Sequence, residues 1–344
     1  MKLSGWAVET RVYAEDPYRN FLPSIGRLSR YRPPAETVLD GVTVRNDTGV
    51  TEGGEISIHY DPMIAKLVTH GPTRYIAIAA QSNALDAFVI DGIRHNISFL
   101  SALMAHPRWR AGKLSTGFIA EEFPDGFHPI APEGPLAETI GAVAAAIDHV
   151  LGERKRRISG QMNGREVMRE RRRAVRLGES WLTLDVAREA EGIAVHVVGA
   201  NDNVGAARVL LSSWKPGDPV WNGLVDGQPV AVQVRPLTNG FALSHRGVEV
   251  KAYVYTEREA AAARLMPVKK APDMGKWLLC PMPGLVRSIE VKEGQEVKVG
   301  ETLAVVEAMK MENVLRAERD ATVKAIKVRP GDSLAVDAVI MEFA

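Results

Sequence analysis

A pattern of seven residues occurs twice near the carboxyl end of this 344-residue chain, and it limits what that region can fold into. The first copy is Val286, Ile289, Val291, Gly294, Val297, Val299 and Leu303. Adding 37 to each number gives Val323, Ile326, Val328, Gly331, Leu334, Val336 and Ile340. Aliphatic positions stay aliphatic and the glycine stays glycine, so the segment is an internal repeat. Within each copy apolar and polar residues alternate, as in Ile289-Glu290-Val291-Lys292, which predicts half-buried strands. Gly294 follows Glu293 and Gly331 follows Pro330, a turn signal in both copies. Two sheets too small to stand alone are expected to pack face to face as a small sandwich.

Between the copies lies Val306-Glu307-Ala308-Met309-Lys310-Met311-Glu312-Asn313. Met309-Lys310 falls near the bend joining the halves. A two-residue hairpin there ordinarily wants Asn-Gly or Gly-X. A turn without turn chemistry points to selection for something other than folding. A lysine at such an apex is presented to other proteins, and its amine can become an amide. The plain alternative is a solvated lysine in a hairpin.

Glu307-Ala308-Met309-Lys310-Met311 resembles the attachment motif of biotin-dependent carboxylases, and Cys280-Pro281-Met282-Pro283-Gly284 resembles the start of the same carrier domain. The resemblance implies that a biotin protein ligase attaches biotin to Lys310, flanked by Glu307, Ala308, Met309 and Met311. The related lipoyl domain shares the fold but typically has Asp before its lysine and Ala after it.

Composition narrows the remaining choices. The formal net charge is +1, which makes no case for a nucleic-acid or membrane partner. The one cysteine, Cys280, excludes an internal disulfide and fits a reducing compartment. No apolar run approaches the roughly 18–20 residues of a membrane span. The amino end enters an alternating run (Trp6, Val8, Thr10, Val12) and does not read as a signal peptide.

In residues 1–124, strands are expected over 5–14, 25–31, 38–45 and 55–60, then helices over about 73–90, 96–105 and 116–122, forming an α+β unit. Val8-Glu9-Thr10-Arg11-Val12-Tyr13-Ala14-Glu15-Asp16-Pro17, Phe21 to Gly26, Asp61 to Leu67 and Asp91 to Asn96 resemble the last subdomain of biotin carboxylase. By that resemblance Arg45 holds bicarbonate and stabilises the biotin enolate, a task suited to a permanently charged two-pronged donor. The plain alternative is a surface ion pair. The family's ATP-grasp core is expected upstream, and no Gly-x-x-x-x-Gly-Lys-Ser/Thr motif occurs, so the chain reads as part of a longer subunit, inactive alone. ATP, Mg and bicarbonate are then used at a site outside it.

Residues 125–266 open with a helix over about 136–157, carrying an apolar stripe from Leu136 to Leu151. The basic run Arg165–Arg176 follows. Glu166 and Glu170 interrupt it and no aromatic residue interleaves, so a solvated face or a subunit contact is favoured over nucleic acid. Seven or eight strands from about 179 to 255, with turns at Asp226-Gly227 and Asn239-Gly240, predict an antiparallel barrel packed on the helix. No His or Cys spacing predicts a structural zinc. By resemblance this is a BT-like domain that docks a carboxyltransferase β subunit. Residues 267–277 read as a mobile linker and 278–344 as the biotin carrier, an all-β flattened barrel. The whole is expected to resemble the carboxyl-terminal part of an acyl-CoA carboxylase α subunit, most like that for propionyl-CoA, with methylcrotonyl- and acetyl-CoA enzymes or a non-catalytic carrier as alternatives. It would work in an α/β hetero-oligomer, in the cytoplasm of a bacterium or the mitochondrial matrix of a eukaryote.

Overall fold

A computed structural model of the protein describes residues 4–57, 60–158, 170–199, 203–267, 276–308 and 311–344. Three separate hydrophobic clusters organise them.

The first cluster lies between a four-stranded antiparallel sheet and the helix Arg74–Ala87. The strand Met63–Gly71, not foreseen in the sequence, is central: it pairs with Trp6–Tyr13 on one side and Val42–Thr48 on the other. Its inward residues Ile64, Leu67 and Thr69 are buried. Thr69 donates from Oγ1 to the Ala77 carbonyl (2.9 Å), and buried Gln81 donates to Thr10 Oγ1 (2.6 Å) and the Leu67 carbonyl (3.1 Å). Buried polar groups here are thus tied across the helix–sheet interface. Thr73 caps the helix by accepting from the Ile76 amide. The expected strand over 38–45 is instead two, Thr37–Leu39 and Val42–Thr48, because Asp40 (φ 50°) and Gly41 (φ 76°) form a tight turn. The helices Ile97–Ala105 and Phe118–Glu122 lie where expected, with a short extra turn of helix over Pro107–Arg110.

The second cluster is a closed antiparallel barrel of eight strands, running in chain order from Arg172–Leu177 to Val248–Tyr255. Closure comes from the first strand pairing with the last, Val175 opposite Val254. The helix Gly134–Ile158 does more than offer one stripe. Every residue from Ile140 to Ile147 is buried, two turns apolar on all sides, and the cluster joins them to residues from around the barrel. Gly141 makes this fit possible, since a Cβ there would lie 2.7 Å from Leu182 Cδ1. Trp221 is part of this core, whereas Trp181 stacks outside it on Tyr255 (5.7 Å).

The basic run needs correction. Its first part, through Arg169, lies outside the described residues. Its second part is the barrel's first strand: Arg173 is 6% exposed and paired with Asp148 on the helix (3.4 Å), and Arg176 lies over the Tyr253 ring (4.8 Å). The turn expected at Asn239-Gly240 is one residue earlier, because Leu237 pairs with Gly240.

Direct contacts join the first domain to the barrel. Gln233 donates to the Phe88 carbonyl (2.9 Å), Arg235 pairs with Asp91 (2.6 Å), and the Asp86 carboxylate accepts from the Arg246 amide (2.7 Å). Arg246-Gly247 is a tight turn (φ 50° and 81°) that touches the first domain: a Cβ on Gly247 would sit 2.9 Å from the Ser98 carbonyl.

The third cluster is the repeat. Gly284–Ile289 becomes Ala321–Ile326 on adding 37, Glu296–Val297 becomes Ser333–Leu334, and Thr302 becomes Val339, where the last strand starts. Bulges fall at Val286/Ser288 and at the equivalent Val323/Ala325. The Gly294 amide donates to the Val323 carbonyl (2.7 Å) and the Gly331 amide to the Val286 carbonyl (2.8 Å). The halves are interleaved: Glu296–Val297 joins the sheet of the second copy and Ser333–Leu334 that of the first. Even side-chain exposure follows the symmetry, with Leu303 and Ile340 buried and Val299 and Val336 exposed.

Candidate functional site

The hairpin of the carrier domain is built from Thr302–Ala308 and Met311–Arg316. Ala308 pairs with Met311, leaving a two-residue connection. Those two residues, Met309 and the expected attachment point Lys310, lie outside the described residues. The root of the hairpin is fixed on both sides. Ala308 is buried, as is Met282, whose Sδ lies 3.4 Å from Asn313 Nδ2. Gly284 runs hard against the hairpin strand, where a Cβ would meet the Glu307 carbonyl at 2.6 Å. Glu307 faces Glu312 directly across the ladder, a like-charge pair that is unfavourable by itself. Arg287, the extra residue of the bulge, reaches Glu307 at 2.6 Å and offsets that repulsion. Sequence reasoning missed Arg287, since only the bulge turns it toward the hairpin.

Cys280 is fully buried beneath this site. Its thiol donates to the Met282 carbonyl (3.0 Å), and burial raises its pKa, so it serves packing and not reactivity.

Arg45 lies on the solvent face of the first domain's sheet, opposite the face that packs on the helix. Its side chain is 61% exposed, and its guanidinium pairs with Asp47 (2.9 Å). The ladder sets Glu9, Val68 and Arg45 in one row, and Arg11, Lys66 and Asp47 in the next. This face therefore carries two rows of mixed charge. The structure does not bring Arg45 near other residues named for the carrier in its described contacts. Asp61 of the Asp-Pro-Met motif caps Met63 (2.9 Å).

Near the start of the sheet, burial, with Asp61 adding repulsion, pushes Glu15 up to about 7. An acid whose folded pKa is raised is favoured while protonated, so its stabilising share is lost as pH rises from the unfolded value toward 7. Glu15→Gln is expected to raise stability at pH 8 by about 1 kcal/mol, discounting for solvent access, and by little at pH 5. Thermal melts at the two pH values check this. An equal gain at both would remove the carboxylate's charge from the account.

No group of three or more His, Cys, Asp or Glu able to hold a metal occurs among the described residues.

Comparison with known proteins agrees with this architecture. Residues 9–121 match the biotin carboxylase C-terminal domain, 140–269 the propionyl-coenzyme A carboxylase BT domain, and 270–343 the biotin-requiring enzyme domain. The propionyl-CoA carboxylase alpha chain of Ruegeria pomeroyi is 49% identical over 100% of this chain and 52% of that relative. This chain is similar along its whole length to biotin-dependent acyl-CoA carboxylase alpha chains and carries three of their domains in order. The mitochondrial propionyl-CoA carboxylase alpha chain of Mus musculus is 35% identical over 99% of this chain and 46% of its own length. The mitochondrial methylcrotonoyl-CoA carboxylase subunit alpha of the same organism is 28% identical, over 99% and 47%. The chain thus spans about half the length of the curated relatives it matches. The expected fold class, an α+β domain, a barrel with its helix and an all-β carrier, agrees with these matches. No helix among the described residues is long and apolar enough to cross a membrane.

Proposed function

We propose that this chain is the carrier-bearing part of a propionyl-CoA carboxylase α subunit. A biotin protein ligase attaches biotin to Lys310, and bound biotin supplies the ring nitrogen that takes up and releases CO2. The observation that carries this reading is the 37-residue symmetry. In the sequence, Met309-Lys310 joins the two strands at the centre of the repeat, where Ala308 pairs with Met311, and that supports the reading.

The chain's own residues then have distinct tasks. The interleaved sandwich fixes the hairpin root, and residues 267–277 serve as the linker between the barrel and the carrier. The linker raises the effective concentration of the carried group at both of its destinations. One destination uses ATP, Mg and bicarbonate. There Arg45 would offer a charged two-pronged donor to bicarbonate and to the ring oxygen of bound biotin. The other is a carboxyltransferase β subunit, which the barrel and its helix dock. The acyl group is propionyl, since identity is 49% to a propionyl-CoA carboxylase alpha chain and 28% to the methylcrotonoyl-CoA subunit. We place the assembly in the cytoplasm of a bacterium or the mitochondrial matrix of a eukaryote.

Co-expression with an active biotin protein ligase tests the reading. Mass spectrometry should find one biotinyl group per chain, on the tryptic peptide that spans Lys310. Protein that emerges without it, or with it on another lysine, would refute the assignment.

A further inference from the structure

On the solvent face of the first domain's sheet the charges stand in an order that folding alone does not favour. The ladder sets Arg11, Lys66 and Asp47 side by side, then Glu9, Val68 and Arg45, then Ala7, His70 and Thr43. Lys66 is therefore directly opposite Arg11, a like-charge pair that destabilises a sheet. Asp47, its neighbour on the other side, could offset this. Asp47 instead takes the Arg45 guanidinium from the adjoining row, at 2.9 Å. The remaining polar groups of these rows are also engaged. Arg11 is held by Tyr13 and by Glu9 (3.7 Å), and His70 Nε2 lies 2.8 Å from the Ser4 carbonyl. Lys66 makes no ion pair and no hydrogen bond among the described residues. Three permanent cations against two carboxylates leave this face one positive charge in excess, and the pairing locates that excess at Lys66.

A small anion is the chemical complement of that excess. Arg45 pairs with Val68, two residues along the strand from Lys66, so the two cations are diagonal neighbours on one face. Such positions lie about 7–8 Å apart, a span that two long side chains close around one small group. Val68, beside both, adds no charge of its own. We propose that Lys66 is a second substrate-positioning cation, and that Lys66 and Arg45 together hold one small oxyanion of the carbonate class. The role rests on the reading of Arg45 given above and names bicarbonate as what the pair holds. The two side chains are not redundant. Arginine offers a planar fork to two oxygens, and lysine a compact charge to the third. A like-charge contact that local folding rules disfavour is retained for that use.

Steady-state carboxylation of free biotin by the full-length α subunit tests this role. Lys66→Met keeps the stem and removes the charge. It is expected to raise KM for bicarbonate about tenfold or more, as for one lost charge-assisted hydrogen bond, and to leave KM for ATP and for biotin within about twofold. Lys66→Arg keeps the charge and should stay within about threefold of the parent in KM for bicarbonate. A second measurement needs neither turnover nor a variant. Saturating bicarbonate should slow acetylation of Lys66 by N-acetoxysuccinimide several-fold, read by mass spectrometry, and chloride at equal ionic strength should not. A lysine with a structural task only behaves otherwise: Lys66→Met lowers the thermal midpoint and shifts all three KM values alike, and bicarbonate gives no protection. Any of those results, or a bicarbonate KM within about twofold of the parent, overturns the proposal. Arg45→Ala measured alongside tells the two failures apart. If it slows the reaction while Lys66→Met leaves the bicarbonate KM unchanged, only the role of Lys66 falls. If Arg45→Ala has no effect, the reading of this face falls and the role of Lys66 with it.

Discussion

Lys310→Arg in a full-length α subunit is expected to abolish carboxylation of propionyl-CoA while leaving the fold intact. Arginine keeps the positive charge and nearly the length. Its guanidinium stays protonated and does not become a biotinyl amide. The hairpin core does not depend on the change, since Ala308, Val306 and Leu303 bury the strand independently of the apex. Three measurements follow from this. Avidin blotting should lose its signal, the overall reaction should fall to background, and carboxylation of added free biotin should continue at the ATP-dependent site. The last distinguishes loss of the carrier from damage to that site. Overall activity close to that of the unaltered subunit would show that the covalent link lies elsewhere.

What could be read in the sequence depended on how strictly packing repeats. The carrier was legible because its two halves obey one geometry. The offset that matches Val286 with Val323 also matches their bulges and the amide donors Gly294 and Gly331. Its strand exchange was not legible, because Glu296–Val297 and Ser333–Leu334 are two-residue strands, too short for a sequence pattern to assign to either sheet. In the barrel, seven strands alternate visibly. The eighth was hidden by arginines whose charge is handled in three dimensions, by Asp148 for Arg173 and by aromatic faces for Arg176. The central strand Met63–Gly71 was hidden for a related reason: Lys66 and His70 on its outer face dilute an apolar pattern that is clear on its inner face. Contacts such as Arg287 with Glu307, or Gln233 with Phe88, join residues that no local pattern relates. The conspicuous basic run therefore gave no functional lead.

Arg45→Ala in the full-length subunit is expected to lower kcat for biotin carboxylation by about 10²–10³-fold, the usual cost of removing a donor to a developing oxyanion. Its pairing with Asp47 does not argue against this role. With both side chains half or more exposed, that pair contributes roughly 0–1 kcal/mol, so the guanidinium can turn to an anionic substrate at little cost. Asp47→Asn should therefore cost far less than loss of Arg45, because the strand Val42–Thr48 still sets its position. Arg45→Lys should not restore the rate, since an ammonium cannot make two parallel hydrogen bonds. A structural role predicts the opposite ordering: thermal stability would fall with Arg45→Ala, and lysine would rescue it. Steady-state rates with free biotin, measured beside thermal midpoints for the three variants, separate the two cases. An Arg45→Ala enzyme within twofold of the parent in kcat would return this residue to the surface ion pair that its exposure allows.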